Sequence, residues 1–300
     1  VGAHYDHLGY GRPGSRNADP KSIYYGADDN ASGVAVLIEV ARTLAQRPDK
    51  LARRVVFVAF TAEETGLHGS NHYVQHPLVP IEKTVAMLNL DMVGRLREDR
   101  VLVLDSGSGK SFGPLLEKIG QAEHLELSRV PGAPGPSDQA PFYAKGVPVM
   151  HFFTGIHSDY HRTSDKAETM NVPGMRRMVS LTQAAVVELA QTPARPEYVK
   201  VSPFLRGLID WRLQPFFGCL PAFLPNGPGF SMGAVIKGGP AERAGLRAGD
   251  TVVEFGETKI GSPDDFLNAL RKHKAGDRVQ TVVRRGSETI AVELTLDPPQ

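Results

Sequence analysis

With 300 residues, 41% of them hydrophobic, the chain is long enough for one large domain and a smaller partner. Its 34 lysines and arginines against 33 aspartates and glutamates give a formal net charge of +1. With no long run of one sign, composition gives no support to nucleic-acid or membrane-surface binding. The only cysteine, Cys219, excludes an internal disulfide and a cysteine-ligated metal, so any metal must be held by histidine and carboxylate. No apolar run reaches the roughly 18 to 20 residues that span a bilayer, so no membrane-spanning segment is expected.

In chain order, Val1-Gly2-Ala3-His4 reads as the end of a strand, and we expect upstream chain, with any targeting signal, to precede it. Gly9 to Gly26 is rich in glycine and other turn residues and predicts a loop. Ser32 to Gln46 has apolar residues at helical spacing behind an Asn30/Ser32 cap signal. Val55 to Phe60, Val85 to Leu90, Val101 to Leu104 and Val147 to Phe153 are short valine- and phenylalanine-rich runs that predict strands buried on both faces. Ser111 to His124 and Val172 to Gln191 predict helices, and Pro131 to Pro136 a loop bordering a pocket. Strands alternating with helices imply an α/β domain with a mostly parallel central sheet flanked by helices over residues 1–192. Two prolines in Gln191 to Pro196, directly after a helix, mark a linker over 193–202. Residues 203–300 change character. Gly233 to Lys237, Thr251 to Phe255, Arg278 to Arg284 and Thr289 to Leu296 are short and β-branched, around one helix at Pro263 to His273.

Histidine and carboxylate concentrate in five segments: His4-Tyr5-Asp6-His7, Ala27-Asp28-Asp29-Asn30, Glu63-Glu64, Asn89-Leu90-Asp91 and Tyr160-His161. Singly, each has a plain structural explanation, such as an N-cap for the Asp-Asp pair or a solvated face for the glutamates. Together they differ, because three of the segments directly follow predicted strands. In an open parallel sheet ligands collect at the carboxyl ends of strands, where unpaired charge at a buried edge is costly unless it meets a cation. A set of two histidines and three carboxylates suits zinc better than calcium or magnesium, and two such ions would polarise a carbonyl and acidify a water.

These segments resemble metallopeptidase family twenty-eight, the co-catalytic dizinc aminopeptidases, across residues 1 to 190. The shared motifs are Gly2 to His7, Gly26 to Gly33, Phe60 to Ser70, Asn89 to Gly94 and Tyr160 to Asp165. The resemblance implies a zinc-exopeptidase fold and two zinc ions per chain. One would be held by His4 and Asp91, the other by Glu64 and His161, with Asp28 bridging. It implies release of N-terminal residues from peptides by a metal-activated water, Glu63 acting as general base. Asp6 would orient His4, and Tyr160 would donate to the oxyanion. Ser137-Asp138-Gln139 stands where relatives often read Ser-Asp-His, so Asp138 is expected to help shape the substrate site. His7, His68, His72, His151 and His157 are read as structural or solvated. Asn30-Ala31-Ser32 matches a glycosylation sequon inside a metal motif.

Residues from about 203 onward resemble a PDZ-like domain of bacterial envelope proteases, through Gly238 to Asp250 and Ala275-Gly276-Asp277. The resemblance implies capture of a peptide C-terminus, with Phe217-Gly218-Cys219-Leu220 as carboxylate loop, or a purely structural packing role. It also implies a secreted or cell-envelope (periplasmic) location. Glutaminyl-peptide cyclotransferase-like activity, carboxypeptidase action and an inert peptide-binding scaffold are the other readings of this scaffold.

Overall fold

The valine- and phenylalanine-rich runs of the first half pair into one mixed sheet. The computed structural model describes residues 1–11, 15, 22–132, 135–201, 215–222 and 227–298, so most of the loop expected over Gly9 to Gly26, part of Pro131 to Pro136 and the start of the second domain lie outside the described residues. The chain divides into two units, Val1–Gly155 with His161–Phe204 and Ile156–Tyr160 with Leu205–Gln300.

In the first unit the strands are β1 (Gly2–His4), β2 (Val58–Phe60), β3 (Met87–Leu90), β4 (Arg100–Leu104), β5 (Glu126–Val130) and β6 (Val149–Phe153), in the order β2-β1-β3-β6-β4-β5. β2, β1, β3 and β6 run parallel; β4 is antiparallel to β6 and carries β5 parallel beside it. Helices α1 (Gly33–Ala45), α3 (Phe112–Glu123) and α5 (Val172–Gln191) form one layer, while the short α2 (His68–Gln75) and α4 (Gln139–Ala144) lie together on the other face. The two-residue period of the strands divides the core accordingly. Leu88, Leu90, Met150 and Phe152 pack with Val36, Leu116 and Leu181 of the three long helices. Met87 and Val149 pack instead with Val74 of α2 and Phe142 of α4. Burial on both faces explains why these strands are apolar throughout. α5 begins as its sequence dictates: Asn171 Oδ1 accepts from the Gly174 amide at 2.9 Å, and a proline occupies the first turn.

Residues read as a linker run along this unit. Arg195 donates to the carbonyls of Glu82 and Thr84, the Val199 amide to Ser108 O at 2.8 Å, and the Val201 amide to the Tyr143 hydroxyl at 2.8 Å.

The second unit is an antiparallel sheet of β7 (Cys219–Pro221), β8 (Phe230–Val235), β9 (Thr251–Phe255), β11 (Arg278–Arg285) and β12 (Glu288–Thr295), with β10 (Thr258–Lys259) on β9 and helices α6 (Pro240–Arg243) and α7 (Pro263–Leu270). Its core is aromatic: Phe230 stacks on Phe266 at 4.1 Å between ring centres, and Phe217 and Phe255 meet Phe266 edge-on. β8 lies three residues upstream of the predicted strand because Phe230 and Met232 are the side chains that enter the core. No helix among the described residues is long and apolar enough to cross a membrane.

Candidate metal centre

His4 ends β1, Glu63 and Glu64 follow β2, and Asp91 follows β3, so three neighbouring parallel strands deliver donors to one edge of the sheet. The turn at 27–32, just before α1, enters between them. Gly26 starts that turn in the left-handed region, φ 63°, with no room for a side chain, since a Cβ there would lie 2.5 Å from the His7 ring. Gly33 is required by contact rather than by angle: a Cβ would collide with the Asn30 side chain and Leu90 O.

One carboxylate organises the centre. Asp29 Oδ1 lies 3.4 Å from His4 Nε2, and Asp29 Oδ2 lies 3.2 Å from His161 Nε2. On the first side, Asp91 Oδ1 is 3.4 Å from His4 Nε2; on the second, Glu64 Oε2 is 3.3 Å from His161 Nε2. The residues thus form two donor groups joined by Asp29. Asp28, expected to bridge, does not reach them. Its Oδ1 accepts the Gly94 amide at 2.7 Å, and it is fully buried beneath the turn. The physical reason is a clamp from far along the chain. Asp165, fully buried, accepts the amides of Asp28 (2.9 Å) and Asp29 (3.1 Å) and is itself held by Arg95 at 3.1 Å. Neighbouring side chains diverge from a backbone fixed in this way, and Asp29 is the one that faces the histidines. Asn30 completes the turn by donating to Leu90 O and accepting the amides of Gly33 and Met92; it is 2% exposed, which leaves its amide nitrogen no access for glycosylation.

Asp6 lies against the other imidazole nitrogen of His4: its carbonyl meets His4 Nδ1 at 3.0 Å and its Oδ1 lies 3.8 Å from the same nitrogen, while the carboxylate accepts the amides of Glu63 (3.0 Å) and Glu64 (3.4 Å). It therefore orients His4 and the glutamate pair together. Tyr160 falls in the Ile156–Tyr160 segment that groups with the second unit, and its amide donates to His157 O at 3.2 Å.

Burial and charge oppose one another throughout the centre. Burial alone would lower His4, but Asp91, Asp29 and Glu63 outweigh it and hold the imidazole well above its ordinary value. Burial would likewise lower His161, yet Asp29 and Glu64 raise it to about 10. Burial pushes Glu63 well above the usual carboxylate range, against the pull of His4 and with added repulsion from Asp91 and Glu64. His4 Nε2 and Asp91 Oδ1 are buried with no hydrogen-bond partner among the described residues. Imidazole nitrogens and carboxylate oxygens gathered in this way, His4, Asp29 and Asp91 in one cluster and His7, Asp29 and Glu64 in the other, fit divalent cations with nitrogen and oxygen donors.

Sequence reasoning missed the outer ring. Ser137 Oγ donates to Asp91 Oδ2 at 2.8 Å and accepts from Asn89, which also donates to Gln139 Oε1; Gln139 Nε2 then donates to Asp105 Oδ2 at 2.9 Å. Gln139, in the place of an expected histidine, is thus a buried link in a polar chain. Asp138 is fully buried beside it, its carboxyl pushed up to about 6 chiefly by burial. His151 lies on β6 with Nε2 3.4 Å from Asp91 O, and His68 and His72 are exposed on α2. His7, read as structural, has its Nδ1 2.8 Å from Glu64 Oε1. The signal for Asp165 was its position in the His161 segment; for His7 it was its place directly after Asp6 in the first histidine and carboxylate segment.

Residues 223–296 match the PDZ domain and residues 1–186 match Peptidase family M28. The chain is 33% identical over 189 residues to Aminopeptidase YwaD of Bacillus subtilis, covering 58% of this chain and 40% of that one. It is 30% identical over 145 residues to Leupeptin-inactivating enzyme 1 of Streptomyces exfoliatus, covering 48% and 32%. The chain spans less than half the length of these curated relatives. Among solved structures, the zinc aminopeptidase BSAP of Bacillus subtilis superposes with TM-score 0.53 at 30% identity, covering 67% of this chain and 49% of that one. Glutaminyl cyclase of Porphyromonas gingivalis, at 21% identity and TM-score 0.54 over 62% and 71%, shares the fold. The chain belongs to peptidase family M28 and carries a PDZ domain after its peptidase domain.

Proposed function

We propose that this chain is a zinc-dependent aminopeptidase that uses two zinc ions. The first would be held by His4, Asp29 and Asp91, and the second by Asp29, Glu64 and His161. The observation that carries this reading is Asp29, whose two oxygens face separate imidazoles at 3.4 and 3.2 Å. Bound there, the ions would supply Lewis-acid polarisation of a peptide carbonyl and a more acidic water. Glu63 sits beside these donors with its carboxyl raised by burial, as suits a group that takes a proton from the attacking water and hands it to the leaving amine. Asp6 fixes the backbone of both glutamates, so Glu63 can move a proton while Glu64 stays in place. The aminopeptidase direction follows YwaD and BSAP. In the PDZ domain, β7 has β8 on one side, and its other edge is assigned to an extended peptide whose terminal carboxylate meets Phe217 to Leu220.

The test is a panel of aminoacyl p-nitroanilides, their N-acetyl counterparts and an N-terminal glutaminyl peptide, assayed with chelator and with zinc restored. Cleavage of free-amine substrates alone, lost with chelator and recovered with two zinc ions per chain, is the expected result. One zinc per chain, with cyclisation of the glutaminyl peptide and no cleavage, would overturn the reading.

A further inference from the structure

We propose that His7 is a positioning residue for the second cation: its Nδ1–H holds Glu64 Oε1, so that Oε2 alone is presented to the metal. The inference rests on the two-cation reading above. A carboxylate oxygen can only accept, so at 2.8 Å the His7 Nδ1 carries the hydrogen. The other oxygen of Glu64 faces His161 Nε2 at 3.3 Å. The same division of labour occurs on the first side, where Asp91 turns Oδ1 to His4 and gives Oδ2 to the Ser137 hydroxyl at 2.8 Å. Each outer carboxylate of the centre therefore spends one oxygen on an imidazole and one on a clamp. Two independent segments arriving at the same solution is what a requirement for oriented, single-oxygen donors produces.

The ring of His7 is itself confined. It lies against Gly26, where any side chain would strike it, and edge-on to His161 with ring centres 5.8 Å apart. Its side chain is 8% exposed, and Nε2 is buried with no hydrogen-bond partner among the described residues. A histidine filling space would place a costly unpaired nitrogen there for no return; here the return is the bond to Glu64. His7 Nδ1 is 3.8 Å from Asp29 Oδ2, farther than His161 Nε2 at 3.2 Å, which favours a clamp over a fourth direct ligand.

The experiment measures zinc affinity by competition with a chromophoric chelator on the full chain, alongside metal content. Wild type and His161→Ala come first: two zinc ions in the former and one in the latter establish the two-cation reading independently of His7. In His7→Ala the second zinc should weaken roughly 10- to 100-fold while the first is unchanged, the scale of losing an outer partner. In His7→Asn, whose side-chain amide can supply the same N–H, affinity should return to within about threefold of wild type, a gap of well under one factor of ten. Two outcomes overturn the proposal. Unchanged zinc binding in His7→Ala would leave His7 no part in the centre. Loss in His7→Asn equal to that in His161→Ala would make it a direct ligand. Metal-free melting checks that the variants fold; His7→Leu, which fills the ring's volume, replaces His7→Ala if that variant does not.

Discussion

The two halves of the chain treat a buried carboxylate in opposite ways. In the PDZ domain, Asp250 is 1% exposed and is met by a fixed cation: Arg285 donates to its two oxygens at 2.7 Å each, and the Arg247 amide adds a third bond at 2.9 Å. In the peptidase domain, Asp29, Asp91 and Glu64 face imidazoles: His4, His161 and His7. A guanidinium is always charged and cannot bind a metal, whereas an imidazole can give its lone pair to one. The first arrangement neutralises its carboxylate within the chain, and the second gathers donors of the kind that bind a divalent ion. Arginine returns one layer further out, where Arg95 holds Asp165, the clamp beneath Asp29.

This contrast can be broken most severely at Asp29. Asp29→Ala should remove zinc from both positions and lower peptide hydrolysis by roughly 10³-fold or more, beyond the effect of losing an outer partner. Asp28→Asn, which keeps an oxygen for the Gly94 amide, should retain both ions and activity within about threefold, less than such an outer loss. Metal analysis with steady-state kinetics separates the two residues, and the reverse ranking would restore Asp28 as the bridge. Next, Glu63→Gln should cost about 10²- to 10⁴-fold in kcat with zinc content unchanged, since it removes proton transfer and no metal donor. In the PDZ domain the corresponding change is one of stability. Arg285→Ala strips Asp250 of its cation and should lower the midpoint of denaturant melts, leaving zinc affinity untouched. A fall in zinc content with that variant would contradict the division drawn here.

The smallest effect tests a carboxylate that has no cation of its own. Burial raises Asp105 from its ordinary 3.8 to about 8, with the Gln139 amide opposing. Because the folded chain favours the protonated form, the destabilisation is absent below about pH 4, grows through neutrality and is complete above about pH 8. Asp105→Asn, an αL-tolerant replacement at φ 63°, should therefore raise the melting temperature at pH 8 and leave it near wild type at pH 4. Equal shifts at the two pH values would refute the sign.

Much of this was readable in the sequence, for reasons that differ by element. The helix Val172 to Gln191 has the bounds its pattern predicted, since an asparagine cap, an early proline and a sustained apolar period agree. Predicted strand Val55 to Phe60 narrows to Val58–Phe60 because its ladder with β1 begins at Val58, opposite Gly2. β5, with exposed Glu126 and Arg129, and α2, with exposed histidines, escaped because edge strands and surface helices bury too little for apolar runs to reveal them. The choice between Asp28 and Asp29 was beyond any local pattern. The two are chemically identical neighbours, and what orients them is Asp165, more than 130 residues away.

That distant clamp also sets a schedule during synthesis. By the time Asp91 has left the ribosome, His4, Asp29, Glu64 and Asp91 are all available, yet the amides of Asp28 and Asp29 still await Asp165. The shared carboxylate is held in place only once the chain has been made through that residue, four positions after His161. Completion of the donor set is thereby tied to near-completion of the peptidase domain, and a nascent fragment ending before residue 161 carries these donors without the clamp that orients Asp29.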